Sequence, residues 1–216
     1  MQHLRKKRDL YSKKAKREGY RSRAAYKLQQ IDKKFKLFKD NQIVIDLCGA
    51  PGGFSQIARD RSQGRAKIFL VDLSRVKPIP KVAEIIQGDI TKFSTIIKLQ
   101  ESIEKNRSGE EKIIVLADCS PNVSGHWTTD HSRQIWLTEV AFSISNYFLA
   151  DKFITKVFQG EFLDELLQKI KTSYLSVKIF KPPTSRKESA ETYIIATDRK
   201  KTDKKPFDKS CLVLDD

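Results

Sequence analysis

Residues 42–56 read QIVIDLCGAPGGFSQ. Ile43, Val44, Ile45 and Leu47 form a run of strand formers broken only by Asp46, and Gly49, Pro51, Gly52 and Gly53 follow at once. The next residues, FSQIARDR, suit a helix. Strand, tight glycine turn and helix together make the first unit of an open α/β sheet. Glycine is required where a ligand must approach backbone that a Cβ would block. The spacing is neither the G-x-G-x-x-G of dinucleotide enzymes nor a P-loop, because no G-K-[ST] follows. The local inference is an α/β nucleoside pocket without a phosphate cradle, with Asp46, Gly49, Gly52 and Gly53 as candidate cofactor-binding residues.

Working outward, KIFLV (67–71) forms a second strand ending in Asp72, where such folds hold ribose hydroxyls, since a carboxylate accepts two hydrogen bonds from a diol. Glu84 to Gln87 is a short third strand running into Gly88 and Asp89, and KIIVLA (112–117) a fourth ending in Asp118. Helices are expected over about 90–105, from Thr128 or Thr129 to about Leu149, and over EFLDELLQKIK (161–171). In the long helix Ile135, Trp136, Val140, Phe142, Ile144, Tyr147 and Phe148 read as core. KFITKVF (152–158) is a buried strand apart from Lys156, and Tyr174 to Phe180 and ETYIIAT (191–197) complete the set. Two strands joined by a ten-residue loop cannot form a parallel crossover pair, so the last strand must run antiparallel. The expected fold is a mostly parallel seven-stranded sheet with one antiparallel strand and helices on both faces.

At 216 residues the chain is large enough for one domain with a real core. No apolar run is long enough to cross a bilayer. The N-terminus, MQHLRKKRDLYSKKAKREGY, lacks an apolar export core, so a cytoplasmic protein is expected. Cys48, Cys119 and Cys211 are odd in number and far apart, which predicts neither a disulfide framework nor a zinc site. The net charge is +15, and residues 1–36 hold fourteen Lys or Arg against three acids. A clustered excess of this kind suits nucleic acid, with binding that weakens steeply as salt rises. Residues 1–20 are read as a basic arm and helix, mobile to about residue 7, with the helix ended by Gly19. Residues 21–199 are read as the single folded domain and 200–216 as a polar, flexible tail. Arg5, Lys6, Lys7, Arg8, Arg21 and Arg23 are the candidate RNA-binding residues. Ser22 could cap a helix over SRAAYKLQQIDKKF, with Arg23, Lys27, Gln30 and Lys34 on one polar face, either solvated or against RNA.

Asp72, Asp89 and Asp118 sit just after three strands, so three acids share the rim beside the glycine turn. Lys156 is more telling: a lysine in an apolar central strand bears a desolvation cost unless something uses it. Asp118 and Lys156 lie near the carboxyl ends of parallel strands, Glu191 opens the antiparallel strand at that same edge, and Lys27 could close over it. Two lysines and two carboxylates would then share one cleft, where a lysine can act as a general base toward a hydroxyl.

The segments SRAAYKL, VIDLCGAPGGFSQ, QGDI, ADCSPNVSG, ITKVFQG and KPPTSRKESAETYIIAT together resemble the FtsJ/RrmJ family, the RlmE-type ribosomal RNA 2′-O-methyltransferases, and most closely its archaeal members. The likeness spans about Leu10 to Arg199. It implies a Rossmann-like methyltransferase fold, S-adenosylmethionine as cofactor, and transfer of a methyl group to a ribose 2′-hydroxyl, most simply of a uridine in large-subunit (23S-type) ribosomal RNA. The family's catalytic Lys-Asp-Lys-Glu set falls on Lys27, Asp118, Lys156 and Glu191, and its cofactor contacts on Gly52, Phe54, Asp72, Asp89 and Asp118. Phe54 stands where tryptophan is usual, and Ala150 and Asp151 replace the usual glycine turn before the Lys156 strand. A transfer RNA anticodon-loop methyltransferase of the same family and a non-catalytic ribosome-assembly protein are the alternatives. No metal or membrane partner is implied, and a monomer is expected.

Overall fold

Apolar residues alternate in phase along neighbouring strands, and this builds a sheet with a core on each side. The computed structural model describes residues 2–122, 124–186, 188–201, 207, 210 and 212, with side chains from residue 10 onward. In order the elements are α1 (Gln2–Arg17), α2 (Ala24–Phe35), β1 (Gln42–Leu47), α3 (Gly53–Arg61), β2 (Lys67–Asp72), β3 (Glu84–Gln87), α4 (Phe93–Asn106), β4 (Lys112–Ala117), α5 (Trp127–Tyr147), β5 (Lys152–Phe158), α6 (Leu163–Lys171), β6 (Tyr174–Phe180) and β7 (Glu191–Arg199). The sheet order is β3-β2-β1-β4-β5-β7-β6. β7 runs antiparallel to both β5 and β6, while β1 to β5 pair in parallel. The expected Rossmann-like sheet with one reversed strand is therefore present.

Side chains two apart on a strand share a face. Ile43, Ile45 and Leu47 of β1, Ile113 and Val115 of β4 and Phe153 and Val157 of β5 pack against α4, α5 and α6. Val44, Ile114, Leu116, Ile154, Tyr193 and Ile195 turn the other way, onto α2 and α3. Leu28 and Ile31 place an apolar stripe of α2 against Ile57 and Ala58 of α3. Each of these fully buried aliphatic side chains contributes roughly 1.5–3 kcal/mol relative to exposure.

Several local expectations need correction. The N-terminal helix begins at Gln2, not near Arg8; it does end at Gly19, whose φ is +78°. Ser22 makes no side-chain cap for α2. Its Oγ lies where a Cβ on Gly53 would be, 2.3 Å away, so small residues let α2 and α3 meet. The polar face of α2 is only partly solvated: Lys34 is exposed, while Arg23 and Gln30 are half-buried. Lys27 is buried, Gln30 accepts the Thr184 amide at 3.0 Å, and Lys34 lies over the Phe180 ring. Cys48 and Cys119 form a disulfide. They follow the ends of β1 and β4, strands paired in register, so a separation of 71 residues closes to 5.0 Å between Cα atoms; Cys211 lies outside the described residues. Beyond β7, Phe207 is buried, with its ring tilted against Phe93 and edge-on to Tyr147, unlike a frayed end at that residue. The turn before β5 is built without glycine, because Leu149 adopts φ +52° and Asp151 exchanges main-chain and side-chain bonds with Ile113. Among the described residues no helix is long and apolar enough to cross a membrane.

Candidate active site

Strand phase decides which side chains reach the cleft. Asp118 continues the parity of Ile114 and Leu116, Lys156 that of Ile154, and Glu191 that of Tyr193 and Ile195, so all three face α2. Lys27 projects toward them from α2. The reversed direction of β7 sets Glu191 opposite Phe158 and Tyr193 opposite Lys156. Four residues from distant parts of the chain thereby meet at one rim.

Their contacts form two pairs. Lys27 Nζ lies 2.6 Å from Glu191 Oε1, which also accepts the Ser185 hydroxyl at 3.0 Å. Lys156 Nζ donates to the Asp118 main-chain oxygen at 2.9 Å and lies 3.5 Å from its Oδ1. Both lysines are only 6% exposed, so neither charge is freely solvated. Tyr193, which sequence reasoning missed, donates its hydroxyl to Asp118 Oδ1 at 2.7 Å, and its ring lies 6.4 Å from that of Phe54 and 5.8 Å from the Lys27 ammonium. The available signal was its position two residues after Glu191, on the same side of the strand. Burial pushes the Asp118 carboxyl up, but Lys156, Lys27 and the Tyr193 hydroxyl outweigh it and hold the pKa below the usual carboxylate range. Burial, reinforced by Asp118 and Glu191, raises the Tyr193 phenol well above its ordinary value, so it stays protonated and donating.

The glycine turn lies beside this cluster. Gly52 has φ +112°, and a Cβ there would come within 2.4 Å of Ile79. Cβ atoms at Gly49 and Gly53 would strike Leu70 and Ser22, so these two serve packing around the turn. The Ala50–Pro51 peptide is cis. Asp72 accepts the Ala50 amide at 2.9 Å and the Ser74 amide at 2.7 Å, fixing the turn to the end of β2. Asp89 accepts both the amide and the hydroxyl of Thr91. Phe54 is buried in the core shared with Tyr193. Asp46, expected among the ligand contacts, is 0% exposed and lies beneath Gly49. Its Oδ2 accepts the Ser55 hydroxyl at 2.6 Å, while Oδ1 has no partner. Burial, with help from Asp118, pushes its pKa up to about 7 against the opposing Ser55 bond.

The basic residues divide. Arg21 donates to the main-chain oxygens of Pro51, Lys77 and Pro78, so its guanidinium ties the glycine turn to the following loop instead of standing open to phosphate. Arg23 lies near enough to Tyr193 to oppose the rise in its pKa. Arg5, Lys6, Lys7 and Arg8 fall on α1, and their side chains lie outside those described.

A cofactor would be held by the turn and the two rim acids. The carboxylates of Asp72 and Asp89 at the ends of neighbouring strands and the ring of Phe54 fit a nucleoside with a ribose diol. The FtsJ-like methyltransferase family model matches residues 20–199. The chain belongs to that family. Curated relatives named ribosomal RNA large subunit methyltransferase E include one from Methanobrevibacter smithii, 41% identical over 95% of this chain and 97% of its own length. Another, from Methanothrix thermoacetophila, is 42% identical over 87% of this chain and 71% of its own. Among solved structures, a Plasmodium falciparum protein described as a ribosomal RNA methyltransferase superposes with a TM-score of 0.71 at 29% identity, covering 83% of this chain and 98% of that one.

Proposed function

We propose that this FtsJ-like methyltransferase transfers the methyl group of S-adenosylmethionine to a ribose 2′-hydroxyl of large-subunit ribosomal RNA, with uridine as the target. The observation that carries the reading is the meeting of Lys27, Asp118, Lys156 and Glu191 in two ion pairs beside the glycine turn. The names of the relatives support the choice of ribosomal RNA.

Gly52, Phe54, Asp72 and Asp89 would hold the cofactor, which supplies a sulfonium methyl carbon already activated for displacement. Bound there, it would give up that methyl carbon to the substrate hydroxyl oxygen, with the sulfur leaving as a neutral thioether, and Lys156 Nζ would take the hydroxyl proton and pass it to water. In its amine form Lys156 can direct its two hydrogens to the main-chain oxygen and Oδ1 of Asp118, which leaves the nitrogen lone pair for the hydroxyl. Asp118, fixed by Tyr193, orients that nitrogen. Lys27 and Glu191 form a polar wall that positions the nucleotide, and alignment of the two reactants supplies most of the acceleration.

The test is incubation with methyl-labelled S-adenosylmethionine and separated large-subunit, small-subunit and transfer RNAs, followed by digestion to nucleosides. Label on the ribose of one uridine in the large-subunit RNA is expected. Label confined to transfer RNA, or on bases, would overturn the assignment.

A further inference from the structure

Among the described residues Trp127 is the one exposed aromatic side chain, with 53% of its surface open. A single exposed apolar side chain is ordinary, but this one stands in a construction. Its ring is nearly parallel to His131 (11°, centroids 5.8 Å) and to Phe158 (22°, 6.1 Å), and His131 is parallel in turn to Phe162 (12°, 5.6 Å). His131 is buried, and it fits only because residue 160 is glycine: a Cβ there would come within 2.6 Å of the imidazole. Ser124 and Gly125, just before Trp127, are clamped to the first turn of α5. Asp130 accepts the Ser124 amide and hydroxyl through Oδ1 and the Gly125 amide through Oδ2. Trp127 is therefore held in place on the first turn of α5, against Phe158.

Its position relative to the tetrad follows from the strands. Phe158 lies two residues beyond Lys156 on β5, roughly 7 Å along and on the same side, and pairs in register with Glu191. A ring resting on Phe158 thus flanks the place where the ribose must sit. A flat, open indole fixed beside a ribose site suits an unpaired base, because every base has a π-face and single-stranded RNA is recognised by stacking on aromatic side chains. Solvent, peptide or lipid would have no need of parallel ring geometry.

We propose that Trp127, backed by His131 and Phe158, is a stacking platform for an unpaired nucleobase at or beside the methylated nucleotide. This rests on the proposed function, which supplies the RNA. The stacked base keeps the strand extended across the rim and presents the 2′-hydroxyl to Lys156.

The test uses the full chain. In a Trp136→Phe background Trp127 is the only tryptophan left, so its fluorescence reports on the platform alone. Addition of a single-stranded decamer of uridine is expected to quench it, and a decamer of abasic sites is not. Trp127→Ala should weaken decamer affinity, and raise KM for ribosomal RNA, about 5- to 150-fold, the value of one base stacked on an aromatic ring. The salt dependence should not change, since no phosphate contact is lost. Trp127→Phe should recover most of the loss, and S-adenosylmethionine binding should be equal in all variants. Absence of quenching, or a Trp127→Ala enzyme with unchanged affinity and KM, overturns the platform even if the wild type methylates ribosomal RNA. Quenching by the decamer without methylation of any RNA would keep the platform and overturn the proposed function.

Discussion

Replacing Tyr193 by Phe removes one oxygen from the wall of the cleft and leaves the buried ring in place. The lost contact is a 2.7 Å hydrogen bond to Asp118 Oδ1. A hydrogen bond to a charged group contributes about 1.5–3 kcal/mol, which corresponds to about 10- to 150-fold in rate if it is lost in full at the transition state. Asp118 keeps its contact with Lys156 and remains partly open to water, which argues for the lower half of that range. The variant is expected to bind S-adenosylmethionine as the wild type does, to unfold at a lower temperature by several degrees, and to transfer methyl about tenfold more slowly in single turnovers at saturating RNA. The Tyr193 hydroxyl helps to hold the Asp118 pKa down, so its loss raises that pKa. The same sign governs stability. A depressed folded-state pKa stabilises the fold above the unfolded carboxylate value of about 3.9, and that contribution is lost as pH falls through the folded value; in the variant it should be smaller. A Tyr193→Phe enzyme with the wild-type rate and unchanged stability at acid pH would refute the claim that this hydroxyl positions Asp118.

Lys156→Ala should retain RNA and cofactor binding while methyl transfer drops by about 10²- to 10⁴-fold, the usual value of a positioned general base; equal activity in a labelled-methyl assay would remove Lys156 from that role. Gly53→Ala places a methyl 2.3 Å from Ser22 Oγ, which must rotate away, so urea unfolding should report a loss at the low end of about 1–3 kcal/mol. Asp46 binds its proton more tightly when folded, with a pKa of about 7. The fold should therefore lose stability as pH rises from about 4 to 7, by up to about 4 kcal/mol in total. Asp46→Asn should flatten that slope in denaturant titrations at pH 5 and pH 8, and an unchanged slope would show that the carboxyl does not ionise inside the fold.

The sheet was legible because its strands are short apolar runs bounded by Gly and Asp, and a lysine inside one of them stands out on desolvation grounds. The tetrad was legible for the same reason, once β7 was required to run backward. What stayed hidden was set by pairing between distant segments. Cys48 and Cys119 meet only because β1 and β4 are neighbours in register. The polar face of α2 looks solvent-directed in any helical projection, yet Lys27 is buried and Thr184 of the loop between β6 and β7 bonds Gln30. Arg21 reads as a phosphate ligand within a basic segment, whereas three carbonyl oxygens of loops far along the chain claim its guanidinium. Phe207 lies in a lysine-rich tail whose composition outweighs one aromatic residue that finds Phe93 and Tyr147.

Because β7 enters the sheet from the opposite end, its first residue and not its last serves the rim, and the 181–190 segment opens onto the same edge as the tips of β4 and β5. Length changes in the chain then fall into two kinds. An added residue within 181–190 alters the cover of the cleft and leaves the phase of every strand intact. An added residue before Lys156 within β5, or between Glu191 and Tyr193, would rotate one partner to the α5 side and separate acid from base while the fold survived. Tolerance to insertion is therefore a map of this site that can be drawn without any substrate in hand.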